Sequence, residues 1–491
     1  MAELHILADG LNARWSFTPG ARLTELLRSH GTDFPTPCGG RGKCGKCAVT
    51  LSGHLSPPSP MEEQLGVRLA CQTRLLGDAE AVMPRTLPME GIELGTEDRL
   101  PVPHPMPGAL GAALDLGTTT LALSLYDLST GNCLARCGML NPQTSVAADV
   151  MGRIAYALEH GVGSLRTSVR SAARALLARA CGTCGTGPDA VQSMVVTGNT
   201  TMLTLFTGRD PAPLSRAPFR AEWLGDESLQ EGETRLYLPP CMHAFVGADI
   251  TCALLSSGVI REKGPALLVD AGTNGEMALW KEGELLVTST AAGPAFEGAG
   301  ISCGCGSVRG AIDRVWLEGG SFRVHVIGET RPIGLCGSGL MDAVAAGLEA
   351  GLVDETGSLE GPMEIAPGVC LLPEDIRSLQ LAKAAIAAGV ETLLETAGIR
   401  AGDVRTFCLA GGFGRHLRPR SALRIGLFPP ELTPLTRVIG NAALQGAERM
   451  LTDIACLDEA REIAGKARHV SLGGNPAFSG HYMDRMLFPP S

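Results

Sequence analysis

The order of apolar and polar positions divides the 491-residue chain into three regions. In the first, HILADG (5–10) and ARWSFTPG (13–20) predict a β-hairpin. ARLTELLRSHG (21–31) predicts an amphipathic helix and KCAVTLSG (46–53) a further strand. The second region carries proline at 101, 103, 105 and 107. Such a run cannot enter a helix or a central strand, so an extended, semi-rigid tether is expected. In the third region, residues 112–135 and 266–287 follow one pattern. An apolar strand ends in Asp, x-Gly-Thr follows, and a second strand and a turn complete the unit. The expected division is 1–84, a linker over 85–108, one lobe over 109–265 and a second over 266–491.

Composition narrows the classes. No apolar run reaches the ~18 residues of a spanning helix, despite a mean hydropathy of +0.15. The start, MAELHILADG, has no charged stretch followed by an apolar run. It is not expected to act as a signal peptide. A cytoplasmic location is therefore expected, where thiols stay reduced and the 16 cysteines are not a disulfide frame. The formal net charge of −10 without a basic block argues against nucleic acid and anionic membranes as partners. Glycine is unusually frequent, at 63 residues, which points to tight turns and close backbone approaches.

The cysteines supply the first chemistry. Cys38, Cys44, Cys47 and Cys71 are spaced C-x5-C-x2-C-x23-C, with three of them inside CGGRGKCGKC. The glycines let the backbone wrap closely, and Arg41, Lys43 and Lys46 offset thiolate charge. The fourth ligand arrives from a distant segment, as in ferredoxins. A four-cysteine zinc site is the plain alternative. Such sites usually come as two CxxC pairs, and Cys38 and Cys71 form none. With its hairpin, helix and strand, this region resembles the β-grasp fold of 2Fe–2S ferredoxins. The x5 spacing is closer to the adrenodoxin and bacterial variety than to the plant one.

The repeat supplies the second. Asp115, Gly117 and Thr118 align with Asp270, Gly272 and Thr273, 155 positions later. Loop glycines let phosphate oxygens approach backbone N–H groups, and Thr118, Thr119, Thr273 and Asn274 add donors. A carboxylate at each strand end can hold Mg²⁺ through its waters. Two such loops facing each other would clamp a triphosphate. In FCLAGGFGRHL (407–417), a strand runs into Gly411-Gly412-Phe413-Gly414, where the backbone could pass under a purine. Residues 195–206 and 438–451 place Gly198-Asn199 and Gly440-Asn441 at strand-to-helix junctions. Asn199 and Asn441 read as helix N-caps, with water positioning for hydrolysis as the sharper role of Asn199. Glu276 and Asp249 are the candidate general bases.

The third region resembles the actin, sugar-kinase and heat-shock-chaperone ATPases, whose two connecting helices the segments 195–206 and 438–451 match. An N-terminal 2Fe–2S domain joined to an actin-like ATPase resembles the reductive activators of corrinoid proteins. The four cysteines, DLGTTT (115–120), TGNTTM (197–202), FVGADI (245–250), DAGTNGE (270–276), AAGPAFEGAGISCG (291–304), IGLCGSGLMDAV (333–344) and AGGFG (410–414) carry it. The implied fold is α/β and multidomain: a β-grasp ferredoxin domain, then two ribonuclease H-like lobes. The implied cofactors are a 2Fe–2S cluster, ATP and Mg²⁺. The implied partners are a corrinoid protein, an upstream electron donor and a second copy in a homodimer. The implied reaction returns one electron to a Co(II) corrinoid and restores Co(I). Plant-type clusters sit near about −400 mV, and the cobalt couple lies lower. A deficit of roughly 100 mV costs ~2.3 kcal/mol, which ATP would supply.

Two other readings fit parts of the pattern: an ATP-coupled donor of the dehydratase-activator type, and a redox-regulated small-molecule kinase. Because the first phosphate hairpin follows the linker directly, a separate middle domain is expected to be reduced or missing. Cys181-x2-Cys184 lacks a second pair and reads as structural. Cys336 reads as packing in a tight turn, and Cys303 and Cys305 match no family feature known to us.

Overall fold

A computed structural model describes residues 2–8, 11–30, 42, 47–82, 99–411 and 417–490. It divides into two units, Met1–Met89 with Pro142–Gly161, and Glu90–Asn141 with Val162–Ser491.

In the first unit, β1 (Ala2–Ala8) and β2 (Leu11–Phe17) form the expected hairpin, paired from Ala2↔Phe17 to Ala8↔Leu11. The remaining elements are α1 (Leu23–Ser29), β3 (Ala48–Leu55), α2 (Pro60–Leu65), β4 (Arg68–Leu69), β5 (Leu75–Val82) and α3 (Val150–His160). β5 runs parallel to β1 and antiparallel to β3, giving the sheet order β2-β1-β5-β3-β4. The apolar face of α1, Leu23 and Leu27, is fully buried with Leu4, Ile6, Leu69 and Leu75. This is the mixed sheet gripping one helix that defines a β-grasp.

The second unit contains one topology twice. β6 (Leu110–Leu116), β7 (Thr120–Asp127) and β8 (Cys133–Leu140) form an antiparallel meander. α4 (Gly163–Thr183) leads to β9 (Val191–Gly198), which returns parallel to β6. α5 (Thr200–Thr207), β10 (Glu227–Glu231) and β11 (Thr234–Leu238) follow, with β11 parallel to β9, and α6 (Ala248–Ser257) closes the lobe. In the second lobe, β12 (Ala266–Ala271), β13 (Gly275–Lys281) and β14 (Glu284–Thr290) repeat the meander. An insertion carries β15 (Ala311–Glu318), β16 (Ser321–Val326), β17 (Gly334–Leu335), α7 (Gly337–Glu349), β18 (Met363–Ala366) and β19 (Val369–Leu371). After α8 (Pro373–Thr396), β20 (Thr406–Ala410) returns parallel to β12. α9 (Pro419–Ile425) then precedes β21 (Thr436–Gly440), which is parallel to β20. α10 (Ala442–Thr452), α11 (Ala455–Lys466), β22 (Ala467–His469) and α12 (Pro476–Asp484) end the chain. The sheet orders β11-β9-β6-β7-β8 and β21-β20-β12-β13-β14 are the same path. The inner strands are apolar nearly throughout because helices cover both faces.

Two expectations need correction. The helix packed against α10 is α6, the FVGADI helix, and not α5. α5 follows β9 within the first lobe, whereas α6 and α10 follow the last strand of each repeat and meet between the lobes. They touch at Gly446, where a Cβ would stand 2.1 Å from the Cys252 carbonyl oxygen and 2.5 Å from its Cα. The second correction concerns the proline-rich stretch, which is docked and not free over residues 99–109. Leu100 N–H donates to Gly131 at 2.9 Å and Met106 N–H to Leu128 at 3.1 Å. Leu100 and Ala109 share a small core with Tyr126 and Leu128, against which Leu451 of α10 packs.

Because the neighbour at Gly446 is backbone, it cannot rotate away. Gly446→Ala is expected to cost about 1–3 kcal/mol, the usual scale of overpacking. A thermal melt would register this as a drop of several degrees. Gly465→Ala on α11, where nothing lies within 4 Å of the added carbon, is expected to leave the melt unchanged or slightly raised.

Candidate functional site

In the first unit, Cys47 precedes β3 and Cys71 follows β4. The β3–β4 pairing extends to Ala70 N–H donating to the Cys47 carbonyl at 2.9 Å. That pairing brings two thiols from segments 24 residues apart to 3.2 Å, both buried. Two sulfurs that converge in this way fit ligands of one metal centre. The Gln72 amide lies 3.4 Å from the Cys71 sulfur, placed to donate to it. Cys38 and Cys44 lie outside the described residues.

Glu62 fixes the Cys71 side of this arrangement. Its carboxylate is buried and accepts from Leu69 N–H (2.8 Å), the Thr73 hydroxyl (2.7 Å), Arg68 Nε (3.1 Å) and Ser59 N–H (2.7 Å). Burial alone would raise its pKa, but hydrogen bonds from Leu69, Ser59 and Thr73 outweigh this and bring it down to about 2. The Ser-x-x-Glu capping box of SPMEEQL is the signal that could have found it.

In the second unit, both DxGT turns sit at equivalent places, between β6 and β7 and between β12 and β13. They face each other, with the Thr119 and Thr273 hydroxyls 3.3 Å apart. Glu297, which sequence reasoning missed, bridges them. It accepts from the Thr119 hydroxyl, from the Thr273 hydroxyl at 2.7 Å and from Thr273 N–H at 3.1 Å. Asn141, also missed, ties down the first loop by donating to the Gly117 carbonyl at 2.9 Å. In the second loop, Gly272 N–H donates to the Asn274 carbonyl at 3.1 Å.

Asn199 caps α5 by accepting from Met202 N–H at 2.9 Å, and its amide donates to the Thr118 hydroxyl at 3.0 Å. Asn441 does the same for α10. It accepts from Leu444 N–H and donates to Asp115 across the lobes, both at 2.8 Å. Each asparagine is thus an N-cap whose free amide group reaches a loop residue. Gly411 has φ +104° and lies beside Asp270, where a Cβ would meet the Ala271 carbonyl oxygen at 2.7 Å and Asp270 Oδ1 at 3.0 Å. Gly412, Phe413 and Gly414 lie outside the described residues.

The carboxyls of the crevice perturb one another. Burial pushes Asp270 up to about 7, with the charges of Asp115 and Glu297 adding to it. Burial raises Asp115 to about 6 against the pull of Asn441. Asp249, at the start of α6, is raised by burial and then by Asp270 and Asp115. Glu276, opposite Asp270 on β13, is raised by burial and then by Asp249 and Asp270. Both candidate bases therefore belong to one acidic group with the two loop aspartates. Among the described residues, no three Asp, Glu, His or Cys side chains stand close enough to ligate one ion directly.

The remaining cysteines are dispersed. Cys181 is buried in α4, and Cys184 is exposed at the end of that helix. Cys336 is buried at the start of α7, with its sulfur 3.2 Å from the Ser338 hydroxyl. Cys303 and Cys305 are half-buried, and their backbones exchange hydrogen bonds with Leu335. No helix among the described residues is long and apolar enough to cross a membrane.

Comparison with known proteins accounts for nearly the whole chain. Residues 7–76 match the family described as 2Fe-2S iron-sulfur cluster binding domain. Residues 110–262 match the RACo middle region, and 264–491 the C-terminal domain of RACo, the ASKHA domain. A middle region is therefore present, contrary to the sequence expectation, and it is the first lobe itself. Corrinoid activation enzyme RamQ of Eubacterium limosum is 33% identical over 417 residues, covering 77% of this chain and 70% of its own. The Co(II) methylated amine-specific corrinoid protein reductase of Methanosarcina barkeri is 26% identical over 422 residues, 77% of each chain. Among solved structures, a reductive activator for a corrinoid, iron-sulfur protein superposes with a TM-score of 0.74 at 26% identity, covering 100% of this chain and 98% of its own.

The Glu62 geometry carries a pH prediction. Its lowered pKa means that its stabilisation is complete above the ordinary value of 4.5 and is lost as pH falls through about 2. Glu62→Gln is expected to destabilise the cysteine-bearing unit by about 2 kcal/mol at neutral pH. In denaturant titrations, the gap to wild type is expected to narrow steadily from about pH 5 downward. A gap independent of pH would sink this account.

Proposed function

The chain belongs to the RACo family of corrinoid activation enzymes, and on that premise we propose that it is an ATP-dependent reductive activator. It delivers one electron to the Co(II) corrinoid of a methyltransferase-system protein and restores Co(I). The observation that carries this reading is the joining, on one chain, of a ferredoxin fold with paired thiols and a two-lobed fold whose phosphate loops meet at Thr119 and Thr273.

Cys38, Cys44, Cys47 and Cys71 would hold the 2Fe–2S cluster, which supplies the single electron. The convergence of Cys47 and Cys71 and the donor on the Cys71 sulfur fit it. Asp115 and Asp270 would hold Mg²⁺ through its waters. Half-buried carboxylates whose pKa is raised, that of Asp270 in part by the charge of Asp115, fit a dication that keeps its hydration shell. Gly117, Thr118, Thr119, Gly272, Thr273 and Asn274 bind phosphates, and Gly411–Gly414 contact adenosine. Asn199 orients the first loop through Thr118. The functional division is 1–84, 85–108, 109–265 and 266–491. An upstream reductant feeds the cluster, and the protein works in the cytoplasm as a homodimer.

The test mixes the full-length protein with a Co(II) corrinoid protein and a chemical reductant, anaerobically, and follows the visible spectrum. Co(I) is expected to accumulate only with ATP and Mg²⁺, and Cys47→Ser is expected to abolish it. Equal Co(I) formation without ATP, or a colourless zinc protein, would overturn the reading.

A further inference from the structure

Glu297 has no part in the assignment above, yet it occupies the centre of the crevice. One carboxylate takes three donors from two lobes: the Thr119 hydroxyl of the first loop, and the Thr273 hydroxyl and N–H of the second. A threonine hydroxyl has one proton to give. While both protons point at Glu297, neither hydroxyl can donate to a phosphoryl oxygen. A terminal phosphoryl group makes the same demand on these donors as the carboxylate does, and it carries charge of the same sign. The two acceptors therefore exclude each other.

The backbone around Glu297 is held in place. Phe296 is fully buried in the core of the second lobe. Five residues on, Ser302 donates its N–H at 2.7 Å and its hydroxyl at 3.1 Å to Asp375, which is buried at the start of α8. Glu297 lies between these anchors in the short turn Pro294–Glu297. Its carboxylate is the part that can move. The hydroxyls it would release belong to both loops, so giving them up loosens a direct link between the lobes.

We propose that Glu297 lowers the affinity of this site for a nucleoside triphosphate relative to a diphosphate, by competing with the terminal phosphoryl group for the hydroxyls of Thr119 and Thr273. It is a positioning residue that acts through the two threonines. This rests on the reading of the crevice as an ATP site. A diphosphate lacks the terminal group and leaves the Glu297 bridge intact. A triphosphate binds only after breaking it, and the breaking marks the triphosphate state.

The experiment is calorimetric titration of the full-length, cluster-loaded protein with Mg²⁺ and either a non-hydrolysable ATP analogue or ADP. Glu297→Gln keeps the size but removes the charge, and its amide offers one acceptor oxygen where the carboxylate offers two. The analogue is expected to bind it about tenfold more tightly than wild type, with ADP affinity unchanged. Glu297→Asp, which withdraws the carboxylate by one methylene, is expected to shift the ratio in the same direction and covers a Gln variant that does not fold. Equal changes for both nucleotides, or no change, would overturn the proposal while leaving the ATP reading standing. Failure of the wild type to bind either nucleotide would overturn both.

Discussion

Two aspartates at the ends of equivalent strands impose the central constraint. Asp115 and Asp270 are both half-buried, the charge of Asp115 raises the cost of ionising Asp270, and Asp249 and Glu276 share the same crevice. A partly desolvated site with that much negative charge is stabilised by protons, by amide donors such as Asn441, or by a cation. The first option is available at mildly acid pH, and Asn441 covers one oxygen of Asp115. On the proposed reading, the acidic crevice and the facing loops are two halves of one requirement. A cation held by the carboxylates would serve phosphates as well, so each would make the other's binding less costly.

Fold duplication places these groups. Because β9 returns parallel to β6 and β20 parallel to β12, each lobe presents its DxGT turn and its following strand end at the same end of its sheet. In the first lobe the junction residue is Asn199. In the second it is Gly411, where a side chain would collide with the Ala271 backbone and crowd Asp270. One topology therefore yields an amide that orients a loop on one side and a bare backbone on the other. The last strand of each repeat feeds α6 or α10, and their residues Asp249 and Asn441 both reach the acidic group.

What could be read from the sequence follows from this arrangement. The two DxGT turns, the paired asparagines, the hairpin and the cysteine spacing are local patterns whose chemistry is set within a few residues, and they are legible. Glu297 is not, because its role depends on two hydroxyls 178 and 24 residues away. Asn441 was legible as a cap, but its bond to Asp115 crosses 326 residues. The pairing of α6 with α10 was misread for a related reason. Gly-Asn followed by a helix occurs at both 198–199 and 440–441, and the sequence pairs like with like. The structure pairs helices by their place after the last strand. Glu62 lay between these cases, with a readable capping box but remote donors on Leu69 and Thr73.

The docked linker gives the α6–α10 crossing a reach beyond the crevice. Gly446 allows the two helices to approach until only backbone separates them, so their relative motion is a slide or pivot at one point and not a gradual spreading of side chains. Arg449, one helical turn further along α10, donates to the Leu255 carbonyl of α6 at 3.0 Å, and the Ser256 hydroxyl donates to the Ala442 carbonyl at 2.8 Å. Leu451 then packs on the small core formed by Leu100, Ala109, Tyr126 and Leu128. A pivot at Gly446 that shifts α10 must either carry Leu100 with it or open that core. The stretch around Leu100 is therefore packed beside the helix crossing between the lobes, and not on a passive surface.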